Sequence, residues 1–197
     1  INTPVTPPKS IYVVDGSSSA RANGLFEKTL TELEILLKYA KNVCVCVLTS
    51  MLHVIDQNGN IHTFAEIDDC VIPPNYFLNS PLPSFSSLMS ISTDKNGPYT
   101  ERVLEALLNS VGNGGRIFAA ISYKYASKSI DNENITIRGK EVDKIMPLIN
   151  KYKEKHVICS FLICPNNATI IDVGTFGRFA METGGRIEYI TATYGIM

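Results

Sequence analysis

The sequence predicts an α/β fold, a doubly wound and mostly parallel sheet with an antiparallel edge hairpin and helices on both faces. Short apolar runs at residues 11–14 and 157–164 are typical of strands that are buried on both sides. Segments with apolar residues at three- and four-residue steps separate such runs, so helices alternate with strands as in βαβ units. The pair Asn58-Gly59, set between two alternating apolar segments, predicts the hairpin.

The 197 residues are enough for one domain with a full core. We expect an extended, Pro-rich lead-in at residues 1–10 and a single domain at residues 11–194. The net charge of -1 argues against a broad nucleic-acid surface, which needs clustered basic residues. No apolar run approaches the length of a membrane helix, and no signal peptide is evident. Because the chain begins with Ile1 rather than Met, we expect a fragment of a longer protein.

The first half of the chain is predicted to contain two strands, one helix and a hairpin. Strands are predicted at 11–14 and 43–48, with a helix over about 24–40 between them. The hairpin arms follow at 51–55 and 60–67. Its histidines, His53 and His62, are expected to be structural, as is usual for neutral side chains on a half-buried ribbon.

The second half continues the alternation. Pro147 predicts that one helix there starts late or bends. The predicted elements are an irregular connection at 68–98, helices at 100–111, 140–155 and 171–183, strands at 116–122, 157–164 and 186–192, and a polar loop at 124–139.

The five cysteines lie among apolar neighbours and include no CxxC pair. This pattern is typical of reduced, buried thiols in a cytosolic protein. Cys44 and Cys46 are two residues apart in a predicted strand, so both face the same side of the sheet. We expect them to pack in the core rather than to bind a metal.

A polar turn, Asp15-x-Ser17-x-Ser19, follows the first predicted strand directly. One carboxylate and two hydroxyls on a single turn present oxygen ligands of the kind that Mg²⁺ prefers. The spacing resembles the first part of the metal-ion-dependent adhesion site of von Willebrand factor A domains. The alternative is that these residues cap the next helix or close a turn.

The remainder of such an adhesion site is incomplete. Thr93 or Thr100 could supply its threonine, but Tyr123-Lys124 follows the strand that ends at Ser122, where the site needs an aspartate. Lys124 would place a positive charge near the metal, which disfavours binding. We therefore predict no tightly held divalent ion at Asp15, Ser17 and Ser19, which should instead satisfy backbone donors at the start of the first helix.

Catalytic motifs are missing from the sequence. There is no G-x-S-x-G elbow and no phosphate-binding P-loop, and the glycines at 112–115 follow a helix rather than a strand. Ser17 and His156 could be considered as a nucleophile and its base, but their spacing does not support such a pair. We expect no enzyme and no catalytic residue.

The connection at 68–98 carries more apolar side chains than an idle surface loop. One interpretation is a surface for a protein partner, with Tyr76, Phe77, Leu78 and Phe85 as anchors, because aromatic residues are frequent hot spots. The alternative is that the segment folds back and buries these residues on its own sheet edge.

Several segments together resemble the trunk domain of the COPII vesicle-coat adaptors, the Sec proteins numbered twenty-three and twenty-four. The resemblance covers about residues 10–194, and its Asp68-Asp69 piece and short loop before Arg138 favour the twenty-four type. Arg138 is followed by Gly139 and Lys140, where the family often has an acidic residue. The matching segments, in order, are Tyr12-Val13-Val14-Asp15, Met51-Leu52-His53-Val54, Ile67-Asp68-Asp69-Cys70-Val71-Ile72-Pro73, Gly114-Gly115-Arg116-Ile117, Tyr152-Lys153 before Phe161-Leu162, and Gly184-Gly185-Arg186-Ile187-Glu188-Tyr189.

This resemblance implies a von Willebrand A-like fold without catalysis. It implies a scaffold that forms a heterodimer with the other COPII adaptor type and supports cargo selection in endoplasmic-reticulum-to-Golgi transport. The full protein would engage cargo or SNARE proteins, bind zinc in a separate zinc finger, and be cytoplasmic, peripheral at endoplasmic-reticulum exit sites.

Two other functions remain open from the sequence. One is a metal-dependent ligand-binding von Willebrand A domain that uses the Asp15 turn. The other is an A-type scaffold of a different complex, such as those of transcription or repair.

Overall fold

A computed structural model describes residues 8–65, 71–93, 100–122, 136–137, 140–141, 145–164 and 170–189. Within these residues one mixed sheet and a separate antiparallel pair, β7 (Thr136–Ile137) and β8 (Lys140–Glu141), are formed. The strands of the main sheet are β1 (Ser10–Asp15), β2 (Lys41–Leu48), β3 (Leu52–Ile55), β4 (Ile61–Phe64), β5 (Leu78–Asn79), β6 (Arg116–Ser122), β9 (Ile158–Cys164) and β10 (Ile187–Tyr189).

The described part of the main sheet has the strand order β10-β9-β6-β1-β2-β3-β4, and β5 pairs with the start of β2. The strands from β10 to β2 are parallel, whereas β3 and β4 form an antiparallel hairpin on the edge. The central strand β1 lies between β2 and β6. The predicted fold class is therefore confirmed.

Helices cover both faces of this sheet. The described helices are α1 (Ser18–Ala22), α2 (Leu25–Leu36), α3 (Ser86–Met89), α4 (Thr100–Val111), α5 (Met146–Glu154) and α6 (Ile170–Thr183). The connection between β4 and α4 also contains a 3₁₀ turn at Pro74–Tyr76. None of the helices within the described ranges is long and apolar enough to cross a membrane.

Alternation along the buried strands divides the core into two layers. Ile11 and Val13 of β1 pack with α4, α5 and α6, whereas Val14 packs with α1, α2 and α3. Cys44 and Cys46 both lie in the first layer as buried side chains, as predicted. Cys159 lies in the same layer, and burial raises the pKa of its thiol.

Two predicted helices start differently. The segment predicted as one helix from residue 24 is preceded by the short helix α1, and the chain turns at Gly24 with φ of 83°. A glycine suits this left-handed conformation because it has no Cβ. Helix α5 begins only at Met146 with Pro147 in its first turn, so the predicted late start is confirmed.

Several predictions fall partly on residues outside the described ranges. These are Cys70, the Asp68-Asp69 pair, Arg138, residues 123–135 with Lys124, and the end of the last predicted strand at 190–192.

Candidate functional site

Asp15 is the last residue of β1 and lies at the carboxyl end of the parallel strands, where it is 1% exposed. The Asp15 carboxylate accepts the backbone N–H of Ser17 at 2.8 Å, and the Ser17 hydroxyl accepts the N–H of Ala20 at 3.2 Å. Ser17 is thus the N-cap of α1, and Ser19 lies in the first turn of that helix. In this arrangement Asp15 and Ser17 satisfy backbone donors where a helix begins.

Arg21 lies beside this turn, and nothing in the sequence motif pointed to it. Its Nε donates to the Gly16 carbonyl at 3.0 Å, and its Nη2 donates to the Ile91 carbonyl at 2.5 Å. The guanidinium also lies 4.2 Å from the ring centroid of Phe26. Burial lowers the pKa of Arg21, and the negative charge of Asp15 acts in the opposite direction. A fixed cation therefore stands near the buried carboxylate.

Thr93 also reaches this end of the sheet. Its hydroxyl donates to the Gly16 carbonyl at 2.8 Å, so Thr93 and Arg21 converge on one backbone oxygen. The chain is tightly packed there, since a Cβ on Gly16 would lie 2.7 Å from a Val47 methyl. Thr100, the other threonine considered, is the first residue of α4. The structure thus brings together Asp15, Ser17 and Thr93.

The donor set here does not fit a divalent metal ion. The Asp15 carboxylate and the Ser17 hydroxyl already accept backbone N–H groups, and the Arg21 guanidinium adds a positive charge where an ion would need a negative one. Nowhere in the described ranges do three or more His, Cys, Asp or Glu side chains form a group that could hold a metal. Tyr123 and Lys124 lie outside those ranges.

The histidines of the hairpin have structural partners. His53 is buried between two hydroxyls, with its Nε2 2.8 Å from Thr49 and its Nδ1 2.9 Å from Thr63. His62 lies 2.8 Å from Asp56 at the turn. The hydrogen bond from His62, followed by the backbone N–H of Asn60, lowers the pKa of the Asp56 carboxyl.

The catalytic pair rejected on spacing is also separated in space. Ser17 follows the carboxyl end of β1, whereas His156 precedes the amino end of β9. Because these strands belong to the parallel part of the sheet, the two residues lie at opposite ends of the strands.

The suggested partner anchors of the connection are buried. Tyr76 is 9% exposed, Phe77 5%, and Leu78 and Phe85 0%. The Tyr76 ring packs 5.1 Å from the His62 ring, Leu78 belongs to β5, and Phe85 lies in the α2 layer of the core. The connection folds back on its own sheet edge, because burying these rings removes more apolar surface from water than leaving them exposed. Val71 is an apolar residue of the described part of the connection that a partner can reach, since it is 58% exposed.

Comparisons with known proteins identify the fold. No protein-family model matches the chain, and no curated protein matches its sequence. The human COPII-coat protein Sec24c matches in structure with a TM-score of 0.68 and 17% identity, over 94% of this chain and 30% of the Sec24c chain. The VWA domain of SpRpn10 matches with a TM-score of 0.48 and 13% identity, over 94% of this chain and 89% of that domain.

The chain therefore shares the fold of the matched part of Sec24c, in agreement with the fold predicted from the sequence. It spans about a third of the Sec24c chain that it matches. At 17% identity the similarity shows the fold alone, so the function has to be argued from the residues of this chain.

Proposed function

We propose that this chain is the trunk domain of a COPII coat adaptor, a protein-binding scaffold that supports cargo selection in endoplasmic-reticulum-to-Golgi transport. The observation that carries the proposal is the Sec24c match over 94% of the chain. The segments that resemble the adaptor family occur along the chain in the family's order, and they support the same function.

The carboxyl end of the sheet favours a scaffold over a metal-dependent receptor. Arg21 ties α1 to Ile91 of the connection, and it leaves the Asp15 turn engaged in internal hydrogen bonds. Such a turn holds the fold together without needing a ligand.

The proposal extends to partners and location. The chain pairs with the other COPII adaptor type as a heterodimer, and its full-length protein engages cargo or SNARE proteins. The protein is cytoplasmic and peripheral at endoplasmic-reticulum exit sites, where it contacts the membrane only through the assembled coat. This part of the protein needs no cofactor, and zinc belongs to a separate zinc-finger domain.

Sedimentation of the purified chain with the trunk of the other adaptor type tests the pairing. We expect a one-to-one complex at roughly 50 μM, because an interface of about 800 Å² per partner commonly gives micromolar or tighter binding. Val71→Asp should weaken the complex, since it charges the exposed apolar residue of the connection. Ile35→Asp is the matched control, because Ile35 is also exposed but lies on α2.

Two results would change this proposal. If the folded parent chain stays monomeric beside the adaptor trunk, the COPII pairing fails, and an A-type scaffold of another complex becomes the better function. If Val71→Asp and Ile35→Asp bind as the parent does, the pairing stands but uses a different surface.

A metal-dependent von Willebrand A domain is the second candidate function. The clustering of Asp15, Ser17 and Thr93 around Gly16 is the observation that favours it. Calorimetric titration with Mg²⁺ or Mn²⁺ separates the two candidates. We expect no saturable heat from the parent chain, whereas micromolar binding that Asp15→Ala abolishes would establish the metal site.

A further inference from the structure

The amino-terminal edge of the sheet contains a groove of about 390 Å³, at the opposite end from the Asp15 turn. Its floor is formed by side chains that lie next to one another across three parallel strands. Tyr12 of β1 pairs in register with Phe118 of β6, which pairs with Ser160 of β9. The rings of Tyr12 and Phe118 lie 5.6 Å apart. The floor is thus two aromatic rings followed by a hydroxyl.

Helix cover decreases along this face of the sheet. Val14 and Ala120 are completely buried beneath α1 and α2, which pack over β1 and β6. Leu162 is the next residue in the same row on β9, and it is only partly buried. The helices that pack on β9, α5 and α6, lie on the other face. The groove therefore opens where the cover of α2 ends.

Two arginines flank the aromatic floor. Arg116 begins β6, and Arg186 lies just before β10, and both are exposed and line the groove. Arg116 precedes Phe118 by two residues on β6, so both side chains lie on the same face of the sheet. Arg186 lies 4.0 Å from Glu188, and because both side chains are exposed this is a weak pairing. None of the described residues that line the groove is acidic.

Basic residues also recur along this whole edge. Each described strand of the parallel set has a lysine or arginine at its start or within three residues before it, although the net charge of the chain is -1. These residues are Lys9, Lys41, Arg116, Lys155 and Arg186.

One exposed apolar side chain lies on α2, the helix that packs over β1 and β6. The Glu34 carboxylate accepts the N–H of Phe85, so that flank of α2 faces the connection. Leu36 lies two residues later, about 200° around the helix axis, and so is on the opposite flank of the helix. Leu36 is 71% exposed. A ligand that extends from the groove toward α2 would therefore meet an apolar side chain.

We propose that this groove binds a segment of a partner protein that carries an apolar side chain next to a carboxylate. The apolar side chain packs on Tyr12 and Phe118, and the carboxylate accepts hydrogen bonds from Arg116 and Arg186. Arginine forks match a carboxylate in geometry as well as charge, and aromatic floors are common in peptide-binding surfaces. The proposal concerns a surface of the fold and does not depend on membership of a vesicle coat.

Fluorescence polarisation with a labelled hexapeptide of alternating phenylalanine and glutamate tests this inference on the full chain. A second peptide with glutamine in place of glutamate measures the contribution of charge. We expect saturable binding of the glutamate peptide, and loss of each arginine should weaken it by about fivefold. The variants are Arg116→Gln and Arg186→Gln, with Lys28→Gln as the control that removes the same charge from the far end of α2.

The apolar part has its own matched pair of variants. Leu36→Ser should weaken peptide binding, whereas Ile35→Ser should not, because Ile35 is equally exposed at 71% but lies on the side of α2 that faces away from the groove. Both substitutions are on an exposed helix surface, and circular dichroism confirms that the variants remain folded.

Three outcomes would overturn the proposal. One is equal binding of the parent and the double variant lacking both arginines, and another is equal binding of the glutamate and glutamine peptides. The third is no peptide binding together with sedimentation on vesicles of phosphatidylcholine and phosphatidylserine but not of phosphatidylcholine alone. That result would assign the basic edge to a membrane surface.

Discussion

The two ends of the parallel strands differ in how available their side chains are to a ligand, and the sequence alone does not show this difference. The carboxyl end carries the recognisable motif, Asp15-x-Ser17-x-Ser19, yet its Asp15 and Ser17 side chains accept backbone N–H groups and Arg21 donates to the Gly16 carbonyl. The amino end carries Arg116 and Arg186 in segments that predicted the fold rather than a binding site, yet it presents a groove with two arginines and two aromatic rings. A motif therefore marks where residues meet, whereas availability to a ligand depends on what the surrounding chain covers.

The physical origin of the difference is the connection after the hairpin. Its end brings the Ile91 carbonyl and the Thr93 hydroxyl to the Asp15 turn, which closes that end of the sheet. No described helix of the α2 face reaches fully across β9, so the other end stays open.

Phe85→Ala should have the largest effect, because Phe85 fixes the connection in the core. The ring is completely buried, and its backbone N–H donates to the Glu34 carboxylate at 3.0 Å. Removing a buried phenylalanine side chain costs about 3–5 kcal/mol of the free energy of unfolding. Urea denaturation measures this loss.

Val71→Ala provides the comparison for Phe85→Ala, because Val71 lies on the same connection but is 58% exposed. Its effect should stay within about 0.5 kcal/mol. Equal stabilities of the two variants would show that the connection does not pack as described, and would restore Phe85 as a candidate anchor for a partner.

Arg21→Gln should cause the second-largest loss of stability, because it removes the cation that joins α1 to the connection. A hydrogen bond that involves a charged group contributes about 1.5–3 kcal/mol, so we expect a loss of about 2 kcal/mol in the free energy of unfolding. Lys28→Gln removes the same charge from an exposed position on α2 and should leave stability nearly unchanged.

Arg21→Lys sharpens this experiment. Lysine keeps the charge but lacks the planar fork that serves two carbonyls at once. If Arg21→Lys is as stable as the parent, charge alone holds this end closed. If Arg21→Gln is as stable as the parent, the guanidinium does not close this end of the sheet.

The fold was largely predictable because it depends on patterns that are local in the sequence. The runs that became β1, β6 and β9 are mostly apolar, which is typical of strands inside a parallel sheet, and the Asn58-Gly59 turn predicted the hairpin. Pro147 also marked the late start of α5 through its missing N–H. Such signals need no knowledge of the partner segments.

The sites were less predictable because they depend on residues far apart in the chain. The role of Arg21 depends on Ile91, which is 70 residues away, and no local pattern connects them. The groove depends on the register of Tyr12, Phe118 and Ser160 on three strands. The burial of Tyr76 and Phe77 was one of two interpretations that the sequence left open, since an apolar segment looks the same whether it packs on its own sheet or on a partner.

The smallest effect concerns Tyr12 at the open end. Burial raises the pKa of the Tyr12 hydroxyl, and the positive charge of Arg116 partly opposes that rise by favouring the phenolate. Arg116→Gln removes the opposing charge, so the pKa of Tyr12 should rise further. Because the pKa is higher in the folded than in the unfolded state, the stability linked to Tyr12 is complete below about pH 10 and is lost as the pH rises through the folded value.

NMR titration of the chain with ¹³C-labelled tyrosine measures this pKa directly. The chain has 9 tyrosines, and Tyr12→Phe assigns the signal of interest. Lys28→Gln should leave the pKa unchanged, since it removes a charge from the opposite end of the molecule. Addition of the glutamate peptide to the parent should raise the pKa of Tyr12, because a bound carboxylate beside Arg116 disfavours a second negative charge. A Tyr12 titration that neither Arg116→Gln nor the peptide shifts would place Arg116 away from Tyr12, and the groove would then lack its charged border.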